Sequence, residues 1–170
     1  QVDVGTEVSG TIQVVEVDYN DRVKTGQVLA RLDPDQARAK YRQAEAALNL
    51  ARAQVQEAEA TVTETANRLR RTRDLIAKHL SSPEELDTVA AASERAAAAL
   101  AVAQARVDQA QAQLDADRRT LDKTVIRSPI DGIVLKRQVE PGQTVAASLQ
   151  TPVLFTLAEN LAQMQLKVAV

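Results

Sequence analysis

Cysteine and tryptophan are both absent from this 170-residue chain, and one Phe and two Tyr are its only aromatic residues. Without cysteine there is neither a disulfide framework nor thiol chemistry. With 2% aromatics the chain cannot fill a large globular core. A formal net charge of −2 gives no electrostatic reason to expect nucleic acid, and there are no aromatic platforms on which bases could stack. No apolar run approaches the ~20 residues that span a bilayer as a helix. The single histidine, His79, has no nearby partners with which to hold a metal. No Ser/His/Asp arrangement, Gly-rich phosphate loop or HExxH helix is present. No catalysis, cofactor or metal is therefore expected. No signal peptide is visible, Gln1 is not a natural start, and Leu166–Val170 stops in what reads as a strand. The chain is expected to be an internal piece of a longer protein.

Glycine and proline are scarce too, five of each, and they are unevenly spread. Between Pro34 and about Lys123 only Pro83 interrupts, near the middle. Inside that run small and apolar residues recur with alternating steps of three and four. On the first arm they are Ala37, Tyr41, Ala44, Leu48, Ala51, Val55, Ala58, Val62, Thr65, Leu69, Thr72 and Ile76. On the second they run from Leu86 and Val89 through Ser93, Ala96, Leu100, Ala103, Val107, Ala110, Leu114 and Asp117 to Leu121. A sustained mean step of 3.5 is the heptad signal of a left-handed coiled coil.

The arms also fit each other. A reversal near Leu80–Ser82 gives antiparallel partners a nearly constant residue sum, about 161–162, as strict heptads require. Leu48 then meets Leu114, Val55 meets Val107, Ala51 meets Ala110 and Ala58 meets Ala103. An Ala-rich seam allows close approach, toward the lower end of the ~8–10 Å range. Asp33-Pro-Asp-Gln36 offers an N-cap, a first-turn proline and a Gln placed for a capping box, and Ser82-Pro-Glu-Glu85 repeats the formula. The reading is an antiparallel α-hairpin over 34–123 with its tip at about 79–83.

The flanks are different in kind. Val8 to Val17 is β-branched, Asp18-Tyr-Asn-Asp21 supplies a turn, and Val23-Lys-Thr-Gly-Gln-Val-Leu29 places a Gly before a strand running to Leu32. After the hairpin similar text returns. Ser128-Pro-Ile-Asp-Gly-Ile-Val-Leu135 resembles the segment from Val8, and Val139-Glu-Pro-Gly-Gln-Thr-Val145 repeats Val23-Lys-Thr-Gly-Gln-Val. This reads as a duplication split by the hairpin, whose halves (1–33 and 124–160) pair into one β-domain. The fold class expected is α+β.

These residues carry a resemblance. Two halves of Gly-x-Val…Val-x-x-Gly-Gln-x-Val look like a biotinyl/lipoyl domain, a β-sandwich. The order half-lipoyl, long α-hairpin, half-lipoyl resembles the periplasmic adaptors, or membrane fusion proteins, and most of all the MacA-type adaptors of ABC efflux pumps. Val2-Asp-Val-Gly-x-x-Val-Ser-Gly10, Asp33-Pro-x-Gln36, Ser128-Pro-x-x-Gly132, Gly142-Gln-Thr-Val145 and Leu154-x-Thr-Leu-Ala158 read like that subgroup. The resemblance implies a periplasmic, inner-membrane-anchored subunit of a tripartite pump. Such a subunit bridges an ABC-type inner-membrane transporter to a TolC-like outer-membrane channel and assembles into a ring, of six copies in that subgroup. It further implies that residues 161–170 begin a β-barrel domain. An RND-type pump or a type I secretion system is the alternative partner. A coiled-coil spacer without a transport role is more remote. So is a lipoyl or biotinyl carrier, whose modified Lys would need the tight turn that the hairpin replaces.

Two sets of site residues follow from the resemblance. Adaptors that dock on TolC-like channels carry Arg-x₃-Leu-x₆-Ser at the hairpin tip, present here as Arg71, Leu75 and Ser82. Arg71 and Leu75 stand one helical turn apart, and Leu75 falls just off the seam. The plainer readings are an isolated exposed leucine, one arginine of the cluster Arg68, Arg70, Arg71, Arg73, and a serine serving as N-cap. In MacA-like rings a lipoyl loop carries a glutamine facing the central channel. Ungapped alignment puts Leu149 there with Gln150 beside it, and an ordinary surface loop is the alternative.

Overall fold

The computed structural model describes residues 1–147 and 152–159. The chain forms two compact units, one made of Gln1–Lys40 with Asp117–Val170 and the other of Tyr41–Ala116. The expected start of a β-barrel domain over 161–170 lies outside the described residues.

The first unit is built on eight strands: β1 (Val2–Gly5), β2 (Gly10–Val15), β3 (Arg22–Val23) and β4 (Val28–Leu32) before the helices, then β5 (Val125–Arg127), β6 (Gly132–Arg137), β7 (Thr144–Val145) and β8 (Val153–Ala158) after them. They make two four-stranded sheets, ordered β1-β8-β6-β3 and β5-β4-β2-β7. Each sheet takes two strands from each half, so neither half closes a sheet alone. Ile12, Leu29, Leu32, Val134, Leu154, Leu157 and the sole Phe, Phe155, are the largest fully buried side chains, and they belong to one apolar cluster drawn from both sheets. A core made by interlocking two short halves needs few aromatics, which fits the composition.

The two halves are related strand by strand, and the hydrogen bonds fix the correspondence. Thr6 Oγ1 donates to Val8 O at 2.8 Å and accepts from Val8 N–H. Ser128 Oγ does the same for Ile130, at 2.6 Å to its carbonyl, and both hydroxyls are buried. Gly10 pairs with Val145 in β7, and Gly132 with Val23 in β3. Asn20 N–H donates to Val134 O and Gly142 N–H to Ile12 O, while Ile12 N–H donates to Gln143 O and Val134 N–H to Asp21 O. Position 6 therefore corresponds to 128, 10 to 132, 12 to 134, 20 to 142 and 23 to 145. Register shifts fall at matching places as well, between Ile12 and Val14 and between Val134 and Lys136.

This corrects the alignment read from the sequence. The turn matching Glu140-Pro-Gly-Gln143 is Asp18-Tyr-Asn-Asp21, not Lys24-Thr-Gly-Gln27. The reason is turn chemistry. All three turns close a backbone bond from residue four to residue one, and all three fold the fourth side chain back to the first N–H. In all three the third residue has positive φ, at 69° for Asn20, 82° for Gly26 and 85° for Gly142. Asn tolerates that region next best after Gly, so the true copy is disguised and the Gly-Gln copy is a look-alike. Between β7 and β8, seven residues stand where the first half has four between β3 and β4.

The chain leaves β4 into helix α1 (Asp35–Ala77) and returns from α2 (Pro83–Asp122) into β5. Strands β4 and β5 pair antiparallel, so the helices take the place of the connection between them. Asp33 Oδ1 accepts the Asp35 N–H at 3.0 Å, capping α1. Helices of 43 and 40 residues are about 65 and 60 Å long at ~1.5 Å per residue.

Every residue of the predicted seam on both arms is buried or half-buried, with Ala44, Leu48, Ala51, Thr72, Val89, Ala96 and Ala103 the most enclosed in the helical unit. Arg68 on α1 pairs with Glu85 on α2 at 3.5 Å. Ala51 and Ala110 both line an open groove of about 340 Å³, together with Leu50, Gln54, Arg106 and Gln113. The pairing makes an expectation. Ala51→Cys with Ala110→Cys should form an intramolecular disulfide under mild oxidation, read by non-reducing mobility and thiol titration. Because Cα atoms more than ~7 Å apart cannot be bridged without backbone movement, faster crosslinking of Ala51→Cys with Ala112→Cys would refute the register.

Candidate docking tip of the hairpin

The tip is a turn between two helices that stop and start by different chemistry. At the end of α1, Leu80 N–H donates to Leu75 O at 2.9 Å and His79 N–H to Ile76 O at 2.9 Å. This pair of crossed bonds is the Schellman motif, which satisfies the last carbonyls of a helix. It needs a left-handed residue, and His79 supplies it with φ 58°. Glycine is the usual occupant; an L-residue with a Cβ is held there against a cost of about 1–2 kcal/mol. The second arm then starts on a capping serine. Ser82 Oγ accepts the Glu85 N–H at 3.2 Å, with Pro83 at the first helical position.

The predicted site residues sort out as follows. Leu75 is exposed at 43%, as its place off the seam implied. Arg71 is exposed and, among the described residues, has no hydrogen bond or ion pair. Ser82 is exposed, but its hydroxyl oxygen is engaged as the cap. Arg71 and Leu75 lie on the last turns of α1 and Ser82 just before α2, so all three belong to one end of the helical unit. Leu149 and Gln150 lie outside the described residues. The sequence reading placed His79 and Leu80 at the turn but gave neither a part in the site. The signal was available: a non-helical residue five after Leu75, itself apolar, directly behind a helix that ends without glycine. Leu80 is 69% exposed, more than Leu75.

Among the described residues no group of three His, Cys, Asp or Glu could hold a metal, and no helix is long and apolar enough to cross a membrane. On the sandwich, Thr25 N–H donates to Asp131 Oδ1 at 2.5 Å. That backbone bond, above all, holds the Asp131 carboxyl below its ordinary value. The corresponding bond in the other half runs from Ala147 N–H to Ser9 Oγ at 2.9 Å. Both are turn fasteners on an exposed surface, and neither is a reactive centre.

A lipoyl-type sandwich of two interlocked halves, interrupted between β4 and β5 by a long helical hairpin, defines the class of membrane fusion proteins. The chain belongs to the family described as RND MFP, barrel-sandwich hybrid domain, whose family model matches residues 1–157. It is similar to the macrolide export protein MacA of Yersinia pestis, with 35% identity over 159 residues covering 94% of this chain and 43% of that protein. It is 34% identical over 158 residues to the pyoverdine export membrane fusion protein PvdR of Pseudomonas putida, covering 93% and 40%. Among solved structures it matches MacA from Actinobacillus actinomycetemcomitans with a TM-score of 0.90 at 31% identity, covering 94% of this chain and 49% of that one. The chain thus spans less than half the length of these relatives.

Proposed function

We propose that this chain is the lipoyl-and-hairpin part of a periplasmic adaptor in a tripartite export assembly. It bridges an ABC-type inner-membrane transporter and a TolC-like outer-membrane channel, in a ring of six copies whose hairpins form part of the conduit. The role is structural rather than catalytic, with no cofactor and no nucleic acid. The observation that carries the reading is the hairpin's end. A rod of two capped helices terminates in a turn fixed by crossed backbone bonds, and the last turns of α1 before it carry an exposed Leu75 and an Arg71 whose side chain has no partner among the described residues. The export roles in the names of MacA and PvdR support the same direction. Exposed Leu50 at 63% and Val102 at 54% leave apolar area on the helical unit for neighbouring copies. The match to a family of RND adaptors favours an RND-type transporter as the second reading, decided by which transporter co-purifies with the full-length protein.

In the full-length protein, Arg71→Asp is expected to abolish export-dependent resistance while helicity and ring assembly are retained. Arg71 would supply charge-assisted hydrogen bonds to carboxylates or carbonyls of the channel. Arg42→Asp, an exposed arginine far from the tip along α1, is the control and should be silent. Wild-type export by both Arg71→Asp and Leu75→Asp would move docking elsewhere. Ser82 is a poorer probe, because losing its cap alone costs about 1 kcal/mol.

A further inference from the structure

Three threonine hydroxyls in the middle of α1 reach back to carbonyls of their own helix. Thr61 Oγ1 donates to Glu57 O at 3.1 Å, Thr63 Oγ1 to Glu59 O at 2.9 Å and Thr65 Oγ1 to Thr61 O at 2.9 Å. A single bond of this kind, such as Thr88 Oγ1 to Glu84 O near the start of α2, bends a helix slightly; three within five residues act together. With Val62 among them, four of the five residues 61–65 are β-branched, whereas the rest of the 43-residue helix has only Val55, Thr72 and Ile76. Branched side chains lose χ1 freedom against the preceding turn and are weak helix formers. Thr63 stands about 200° around the helix from Thr61 at 3.6 residues per turn, so the pulls on the carbonyls oppose. They loosen the ladder without setting a kink in one direction.

The surroundings add little support. The register of the arms places 58–65 opposite 96–103, where Val62 and Leu100 are the only large side chains of the seam, among Ala58, Thr65, Ala96 and Ala103. Seven of the ten residues 96–105 are alanine, a strong helix former that gives α1 little to grip. Between Arg52 and Arg68, α1 carries Glu57, Glu59 and Glu64 and no cation. None of these three carboxylates forms an ion pair among the described residues.

We infer that residues 57–65 are a pliant joint in α1, through which the tip half of the hairpin tilts relative to its root half. Elements that move are drawn from stretches of low local stability, and a hinge needs only a few residues to absorb the change. The alanine-rich stretch of α2 stays helical across the joint and keeps the two halves connected. In the ring proposed for this chain, and resting on that proposal, the tilt widens or narrows the far end of the tube.

Hydrogen-exchange mass spectrometry of the full-length protein, with overlapping peptides, tests the joint. The amides of 61–65 should exchange about tenfold or more faster than those of 48–54 on the root side and 67–72 on the tip side. Exchange that is uniform along α1, or that only rises steadily toward the tip as in a fraying end, overturns the joint. Thr61→Ala/Thr63→Ala/Thr65→Ala should remove the maximum, and its persistence would overturn the joint as well. Thr61→Val/Thr63→Val/Thr65→Val keeps the branching and loses the hydroxyls, so its exchange should fall between the two. Exchange equal to wild type in that variant would overturn the part given to the back-bonds. Export separates the joint from the adaptor role. The triple-alanine variant should lower export-dependent resistance several-fold with ring assembly retained, and unchanged resistance overturns the tilting of the ring's far end. A wild-type protein that confers no such resistance tells against the adaptor role, while the exchange maximum still decides the joint.

Discussion

Replacing Gly132 by alanine should unfold or severely loosen the sandwich, whereas the same change at its counterpart Gly10 should be mild. A Cβ on Gly132 would stand 2.2 Å from Ala158 O and 2.9 Å from Ala158 C. Both obstacles are backbone, in the neighbouring strand β8, so no side-chain rotation relieves them. The β6–β8 ladder runs from Ile133↔Ala158 to Arg137↔Phe155, and pushing Ala158 away opens it beside the fully buried Phe155 and Leu157. At Gly10 the nearest atoms are side-chain carbons of Leu32 at 3.7 and 3.8 Å, an ordinary contact. Overpacking that forces backbone movement costs about 1–3 kcal/mol, occasionally more, and with only backbone to yield beside Gly132 the upper end is expected, a large share of the 5–15 kcal/mol that holds a typical domain. The expected drop in Tm for Gly132→Ala is on the order of 10–20 °C, against a few degrees for Gly10→Ala, in calorimetry of the same chain. Equal melting of the two variants would show that the close approach at Ala158 is wrong.

That pair of glycines also marks where the sequence stops being informative. Gly10 and Gly132 occupy the same place in the repeat, and nothing local separates them; the difference arises from how near the next strand comes. The hairpin is the opposite case. Its period is repeated over many turns, its starts carry Asp33-Pro and Ser82-Pro, and every predicted seam residue is buried or half-buried. A long periodic signal averages over local noise, so the helical register was legible from the residues. The short strands were legible as a split duplication but not in their correspondence. Three turns use the same backbone bond and the same folded-back fourth side chain, and the one that matches carries Asn20 in place of glycine. Pairing across sheets, which no short motif encodes, was needed to choose between them. At the tip the sequence marked Arg71, Leu75 and Ser82. It hid the helix stop, because His79 holds a conformation that composition assigns to glycine.

Excising the hairpin should leave a folded β-sandwich. The cut removes Tyr41–Ala116, the whole of the helical unit, and joins Lys40 to Asp117 through a Gly-rich turn of about four residues. What remains keeps both fasteners at the base of the helices, the Asp33 cap on α1 and the bond from Thr124 Oγ1 to Leu121 O. It also keeps the link from Leu32 N–H to Thr124 O at 2.8 Å that ties β4 to β5. All members of the sandwich's apolar cluster lie outside the excised segment. The remaining chain is about as long as domains that fold alone, though small enough that the core has little to spare. The sheets bind the halves to each other four times, through β1 with β8, β3 with β6, β2 with β7 and β4 with β5. Reconnecting β4 to β5 by a short link restores the tight connection that an uninterrupted sandwich would have, and lowers the entropy cost of bringing the halves together. Far-UV circular dichroism should therefore lose nearly all helical signal and keep a β-sheet minimum. Thermal unfolding should remain one cooperative transition, and amide protection should persist at Ile12, Val134 and Leu157. A product without protected amides would mean that the helices hold the sandwich together, and that the two units do not fold independently.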